Sequence, residues 1–350
     1  MEQVEKVREY LTNNNLDALL VSDKADQYYL ANFTGDDGFV VIDSKNIYIV
    51  TDARFFEQIK VESPNSTIVN IVQTPLADFI SNSYKSIAIE SDSLLAADYQ
   101  TIVDTGIKIE SANLLVKKLR MHKSPEEIAL IKKAAEITDK VYDHIVKFIK
   151  IGMTEKEVAN EIEYFGKKLG AQALSFETIV ASGIRSSYPH GNATDKKIDE
   201  GDVVTLDFGF VYKNYFSDIT RTVAMGSIDS EMKKVYEAVL SAEEAGMKFA
   251  PMVETFGDLD RVVRGHIEDS GYGEYFNHGT GHGLGLVCHD YPTIRRSNND
   301  QLESNIVFTV EPGIYLPGKA GVRIEDDMYV NDKGESVRLT NSTNELIIIK

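Results

Sequence analysis

Two stretches of the 350-residue chain each end an apolar, strand-like run on a single carboxylate, with glycine two residues further on. Residues 198–209, IDEGDVVTLDFG, align without a gap on residues 302–313, LESNIVFTVEPG. Thr205 then meets Thr309, Asp207 meets Glu311 and Gly209 meets Gly313. Each copy has a second carboxylate on the next strand-like run, Asp218 in NYFSDITRTVAM and Glu325 in GVRIEDDMYV. A buried carboxylate is costly unless neutralised or coordinated, so four at equivalent places in two half-repeats call for a shared cation. Any one of them alone is an ordinary acidic residue at a strand end. Their symmetric recurrence argues for a metal site on a pseudo-twofold axis.

The segment FNHGTGHGLGLVCHDYP adds three of the seven histidines, His278, His282 and His289. Its glycines fit neither a dinucleotide fingerprint nor a P-loop, and HExxH is absent. Gly279, Gly281, Gly283 and Gly285 would destabilise a helix, so these histidines are expected on extended or looping backbone. Two aspartates, two glutamates and an imidazole are too many ligands for one small ion. They suit two divalent ions roughly 3.5–4 Å apart sharing carboxylates and a hydroxide, a nucleophile available near neutral pH. An oxygen-rich donor set favours Mn²⁺, with Co²⁺, Fe²⁺ or Zn²⁺ as alternatives. Cys288 reads as a small buried thiol rather than a soft ligand. His190, His278 and His289 are left to hold a substrate carbonyl or carry protons. On residue chemistry alone the function is metal-assisted hydrolysis, with carboxamides as the natural substrate.

These residues need two kinds of support. Residues 1–120 alternate short strands (DALLVS, DGFVVID, NIYIVT, STIVNIV, SIAIES) with helical patterns near 3–14, 53–62 and 94–105, which predicts a mixed α/β domain without a metal-binding acid cluster. LRMHKSPEE marks a boundary, and residues 121–350 form the second domain. Ser124, Pro125 and Glu127 make a strong helix start, the helix runs to about Lys150, and Thr154 with Glu157 caps the next. SFETIVASG reads as a strand entering the loop that carries Tyr188, Pro189, His190 and Gly191. Helices are expected over residues 230–249 and 255–270.

A formal net charge of −18 argues against a nucleic-acid partner, and no basic block suggests an anionic membrane surface. The charged, amphipathic start and the lone Cys288 lead to an expected cytoplasmic location.

TLDFG, SDITR, HGTGHGLGLVCHD, TVEPGIY and GVRIEDD resemble the five signature blocks of the pita-bread metallopeptidases, in the aminopeptidase P and prolidase branch. The resemblance covers residues 119–350, and the leading domain is similar to the small amino-terminal domain of the same branch. It implies an α/β (α+β) chain whose second domain is a curved antiparallel sheet with pseudo-twofold symmetry. It implies Asp207, Asp218, His282, Glu311 and Glu325 as ligands of two metal ions, with Asp218 and Glu325 bridging and Glu311 taking the proton of the attacking water. His190 and His289 fall where the family holds the scissile bond and shuttles protons. His278 falls where a histidine meets the residue after that bond. Tyr315 and Arg323 match positions that steady the glutamates and the substrate end. The implied partners are a peptide with proline second and another copy of the chain in a homodimer, the small domain shaping access. YLANFTGDDGFVVI and YIVTDARFFEQ look more like the aminopeptidase type than the dipeptidase type, so Xaa-Pro aminopeptidase is the expected activity and Xaa-Pro dipeptidase (prolidase) the alternative. NATDKKI, after PHG, lacks the proline often found there. A metal-free creatine-type hydrolase would lack the complete ligand set, and a non-catalytic binding protein of this fold would show lost ligands. Neither departure occurs in this chain.

Overall fold

All five runs read as strands in the amino-terminal region form one sheet in the computed structural model, which describes residues 2–350. The unit ending at Arg120 has the strand order Thr67–Asn70, Ile47–Thr51, Phe39–Asp43, Ala18–Val21, Ser86–Ile89, Lys108–Ser111. Ala18–Val21 pairs antiparallel with Phe39–Asp43 and parallel with Ser86–Ile89. All four of its side chains are buried, as an apolar run covered on both faces must be. Lys108–Ser111 was not foreseen, because KIES has exposed ends on an edge strand and no apolar alternation. Three short helices, Lys24–Ala31, Leu76–Ser83 and Leu115–Met121, were also missed, being too short to show two turns of periodicity.

The second unit, Met121–Lys350, is built twice over. In the first half the helix Pro125–Phe148 starts as its cap predicts: Ser124 Oγ accepts from the Glu127 amide at 3.3 Å, and Glu127 Oε2 accepts from the Ser124 amide at 2.8 Å. Ile131, Ala134, Thr138, Val141, Tyr142 and Ile145 recur at steps of three and four and are all buried. With the helix Glu155–Lys168, itself started by the Thr154–Glu157 box, this face packs on the sheet containing Val203–Phe208 and Ile219–Met225. The second half repeats the plan. The helices Ser230–Phe249 and Phe256–Asp269 pack on the sheet containing Val307–Val310 and Asp326–Val330. In both halves two antiparallel strands are joined through an intervening pair of strands.

The halves meet where Thr220 forms an isolated antiparallel bridge with Glu325, whose amide donates to the Thr220 carbonyl at 3.0 Å. Two glycines make close approach possible near this line. A β-carbon on Gly209 would stand 1.9 Å from the Ser217 carbonyl oxygen, and one on Gly281 would stand 2.0 Å from that of Thr309. No helix among the described residues is long and apolar enough to cross a membrane.

Candidate metal centre

Strand pairing brings the four carboxylates together. Asp207 lies directly opposite Thr220 in the first ladder, and alternation places Asp218, two residues before Thr220, on the same face. In the second ladder Thr309 lies opposite Asp327 and Val310 opposite Asp326. One step further sets Glu311 beside Glu325, again on one face. The strand Gly281–Gly283 supplies His282, and the His282 amide donates to Thr309 Oγ1 at 3.2 Å.

The His282 ring is oriented by its own backbone. Nδ1 lies 3.0 Å from the Gly283 carbonyl, a contact that needs its proton on Nδ1 and leaves the Nε2 lone pair directed at the acids. Nε2 is 3.9 Å from Asp218 Oδ2 and 3.6 Å from Glu311 Oε1, too far for hydrogen bonds and suited to groups that share an ion. Ligand atoms of Asp218, His282 and Glu325 all lie within 4.8 Å of one another. Asp207 Oδ1 and Asp218 Oδ1 are buried without any hydrogen-bond partner. Orphaned carboxylate oxygens beside an available imidazole are the donors a divalent ion requires, and Asp218, His282 and Glu325 stand close enough together to fit one.

Electrostatics point the same way. Burial, and then the neighbouring Glu325, raises Asp218 and Glu311 well above the carboxylate range; burial lifts Glu325 to about 8 and also raises Asp207. Burial, then His289, lowers His282 to about 4, which keeps it a neutral ligand. Left to themselves the carboxylates hold protons that a divalent cation would displace.

Around them is a frame of hydrogen bonds. Thr220 Oγ1 donates to Glu325 Oε2 at 2.6 Å. The Asp218 amide donates to Asp327 Oδ2 at 2.9 Å, and the Cys288 thiol donates to Asp218 Oδ2 at 3.1 Å. Buried Arg323 reaches Asp207 Oδ2 at 2.5 Å, Tyr315 Oη at 2.9 Å, Thr220 Oγ1 at 3.1 Å and the Pro189 carbonyl at 3.2 Å. Tyr315 in turn bonds His278 Nε2 at 2.9 Å, while His278 Nδ1 lies 2.8 Å from the Gly279 carbonyl. Both ring nitrogens of His278 are therefore engaged, and burial, then the Arg323 charge, lowers it to about 4. His190 and His289 face the same cavity, and their rings make no hydrogen bond to the rest of the described chain.

The cavity has a volume of about 620 Å³ and is lined by all ten residues singled out from the sequence. Sequence reasoning missed Thr220, Asp327 and the wall residues Phe176, Glu177 and Arg295. Asp327 was within reach: in the run Glu325–Asp326–Asp327, alternation puts the first and third on one face and turns Asp326 away to Arg221 and Arg338.

A duplicated antiparallel fold that gathers carboxylates and an imidazole on the line between its halves defines a metal-dependent hydrolase of the pita-bread class. The chain belongs to metallopeptidase family M24, which it matches over residues 129–332, and carries a creatinase/prolidase N-terminal domain over residues 3–122. It is a metallopeptidase of the prolidase and aminopeptidase P branch. It is 36% identical to a Xaa-Pro dipeptidase of Pyrococcus horikoshii, covering 99% of each chain. Among solved structures, a Xaa-Pro dipeptidase from Bacillus anthracis superposes with a TM-score of 0.94 at 39% identity, covering 99% of both chains. An X-Pro aminopeptidase from Thermotoga maritima superposes with a TM-score of 0.87 at 36% identity, covering 99% of this chain and all of that one.

Proposed function

We propose that the chain hydrolyses Xaa-Pro dipeptides. The preference for the aminopeptidase activity drawn from the amino-terminal phrases gives way here, because relatives named as dipeptidases predominate. The observation that carries the reading is Arg295. It lines the cavity and is exposed, and its guanidinium makes no hydrogen bond or ion pair with the rest of the described chain. A guanidinium held open on the wall of a small cavity matches the carboxylate of a dipeptide, which a longer peptide carries further away.

Asp207, Asp218, His282, Glu311 and Glu325 would hold two divalent ions, and the oxygen-rich set favours Mn²⁺. When bound, the ions supply Lewis-acid polarisation of the scissile carbonyl and an acidified water. Glu311 receives the proton as water adds to that carbonyl carbon. The proton then passes to the proline nitrogen as the C–N bond breaks. His190 and His289, whose rings make no hydrogen bond to the protein, contact the carbonyl and carry protons. His278 positions Tyr315, and Arg323 fixes Asp207.

The test compares Xaa-Pro dipeptides with Xaa-Pro-Yaa tripeptides under Mn²⁺. Dipeptides are expected to be cleaved at least about tenfold faster in kcat/KM, and Arg295→Gln should remove that margin, since an unmatched charge is worth about 1.4 kcal/mol or more. Equal or faster tripeptide cleavage would install the aminopeptidase reading instead.

A further inference from the structure

One wall of the cavity carries a charge that the hydrolytic step leaves unused. Glu177 stands two residues before the strand Ile179–Ser182, where Ile179 faces Asp207 across the ladder, and both Glu177 and Ile179 line the cavity. The Glu177 carboxylate is exposed and oriented from one side, where Asn192 Nδ2 donates to its Oε2 at 2.9 Å. Asn192 is itself fixed by its bridge to Ile179 and by Arg185, which donates to the Asn192 carbonyl. Arg185 does not neutralise Glu177, because its Nε is paired at 3.0 Å with the buried Glu155. Among the described residues no lysine or arginine forms an ion pair with Glu177. A neutral amide thus holds the carboxylate in place without cancelling its charge.

Glu177 and Arg295 come to the cavity from different halves of the fold. Arg295 follows the strand Asp290–Ile294, which pairs with the His282 strand of the second half, whereas Glu177 belongs to the Asp207 side. With the proline carboxylate at Arg295, the first residue of the substrate extends toward Glu177. We infer that Glu177 selects a cationic side chain at the first position, so that Lys-Pro and Arg-Pro are preferred over neutral isosteres. This rests on the Xaa-Pro dipeptidase reading. The pair forms at a solvent-facing wall, where ion pairs contribute modestly and are screened by salt, so the preference is about three- to fivefold at low ionic strength.

The experiment measures kcat/KM of the Mn²⁺-loaded full-length protein for Lys-Pro against 2-aminoheptanoyl-Pro, whose side chain has the same five heavy atoms in line and no charge. The ratio is expected at about three to five in low salt and near one at about 1 M salt. Glu177→Gln keeps an acceptor for Asn192 and should bring the ratio near one at every salt concentration, and Glu177→Lys should invert it. A ratio of one in the unmodified protein, or an unchanged ratio in Glu177→Gln, overturns this inference while the dipeptidase reading stands. Absence of hydrolysis of any Xaa-Pro peptide overturns both.

Discussion

Each domain buries a cluster of acids, and the two clusters are resolved in opposite ways. In the amino-terminal domain Asp26 and Glu90 are both about 1% exposed or less, and Arg120 reaches Asp26 Oδ1 at 2.5 Å. Burial pushes Asp26 up to about 9 against the pull of Arg120, and it raises Glu90 as well. Asp26 Oδ2 and Glu90 Oε2 lack any other partner, so a proton on Asp26 bonded to Glu90 satisfies both. That cluster closes on itself with one arginine and one proton. In the catalytic domain the ligand carboxylates outnumber Arg323, their orphaned oxygens converge on an imidazole, and the group opens into a cavity. Buried acids alone therefore do not mark a metal site. An excess of acid over internal cation, facing a space, does.

The sharpest way to break this comparison is to remove a ligand. Asp218→Ala or Glu325→Ala should lower the rate on an Xaa-Pro dipeptide by roughly 10³-fold or more, since Lewis-acid stabilisation is worth several kcal/mol and each 1.36 is a factor of ten. Circular dichroism should show the fold retained, and a rate within tenfold of the unmodified protein would sink the assignment.

A smaller effect separates the clusters by pH. Burial lifts the Glu325 carboxyl to about 8 in the folded state, from an ordinary 4.5. In the metal-free protein its contribution to stability is full below pH 4.5 and is lost as pH rises through about 8, because only the folded state retains the proton. Saturating Mn²⁺ should abolish this decline, with proton release on binding, and at one hundred times Kd it should add about 2.7 kcal/mol. Thermal unfolding across pH 5–8 with and without Mn²⁺ checks it, and parallel curves would count against a shared ion.

The smallest effect belongs to the closed cluster. Asp26 has the same sign, its contribution full below pH 3.8 and gone above about 9, but no ion relieves it. Asp26→Asn should flatten the alkaline decline of the amino-terminal domain by hydrogen exchange and leave dipeptide turnover within about twofold, as expected of a group that belongs to the other domain. A steeper decline would show that Asp26 is ionised in the folded state.

The sequence located acids that line the cavity because duplication is visible without coordinates: Asp207 and Glu311 align, and their strands end alike. Capping residues such as Ser124 and Thr154 likewise located helix starts, since those signals act within four residues. What stayed hidden depends on contacts between distant segments. Arg120 meets Asp26 and Thr220 meets Glu325 across separations that no local pattern reports. Glu177 reads as an ordinary polar residue in SFETIVASG until the fold turns it toward the cavity. The contacts of His278 with Tyr315 and the Gly279 carbonyl, which fix its ring in the cavity wall, were likewise out of reach of any local pattern.

The bracing between halves is reciprocal: Asp218 from the first hangs by its amide on Asp327 of the second, and Glu325 from the second hangs by its carboxylate on Thr220 of the first. Neither half shapes its share of the centre unaided, so a change that slackens one is felt at carboxylates supplied by its twin.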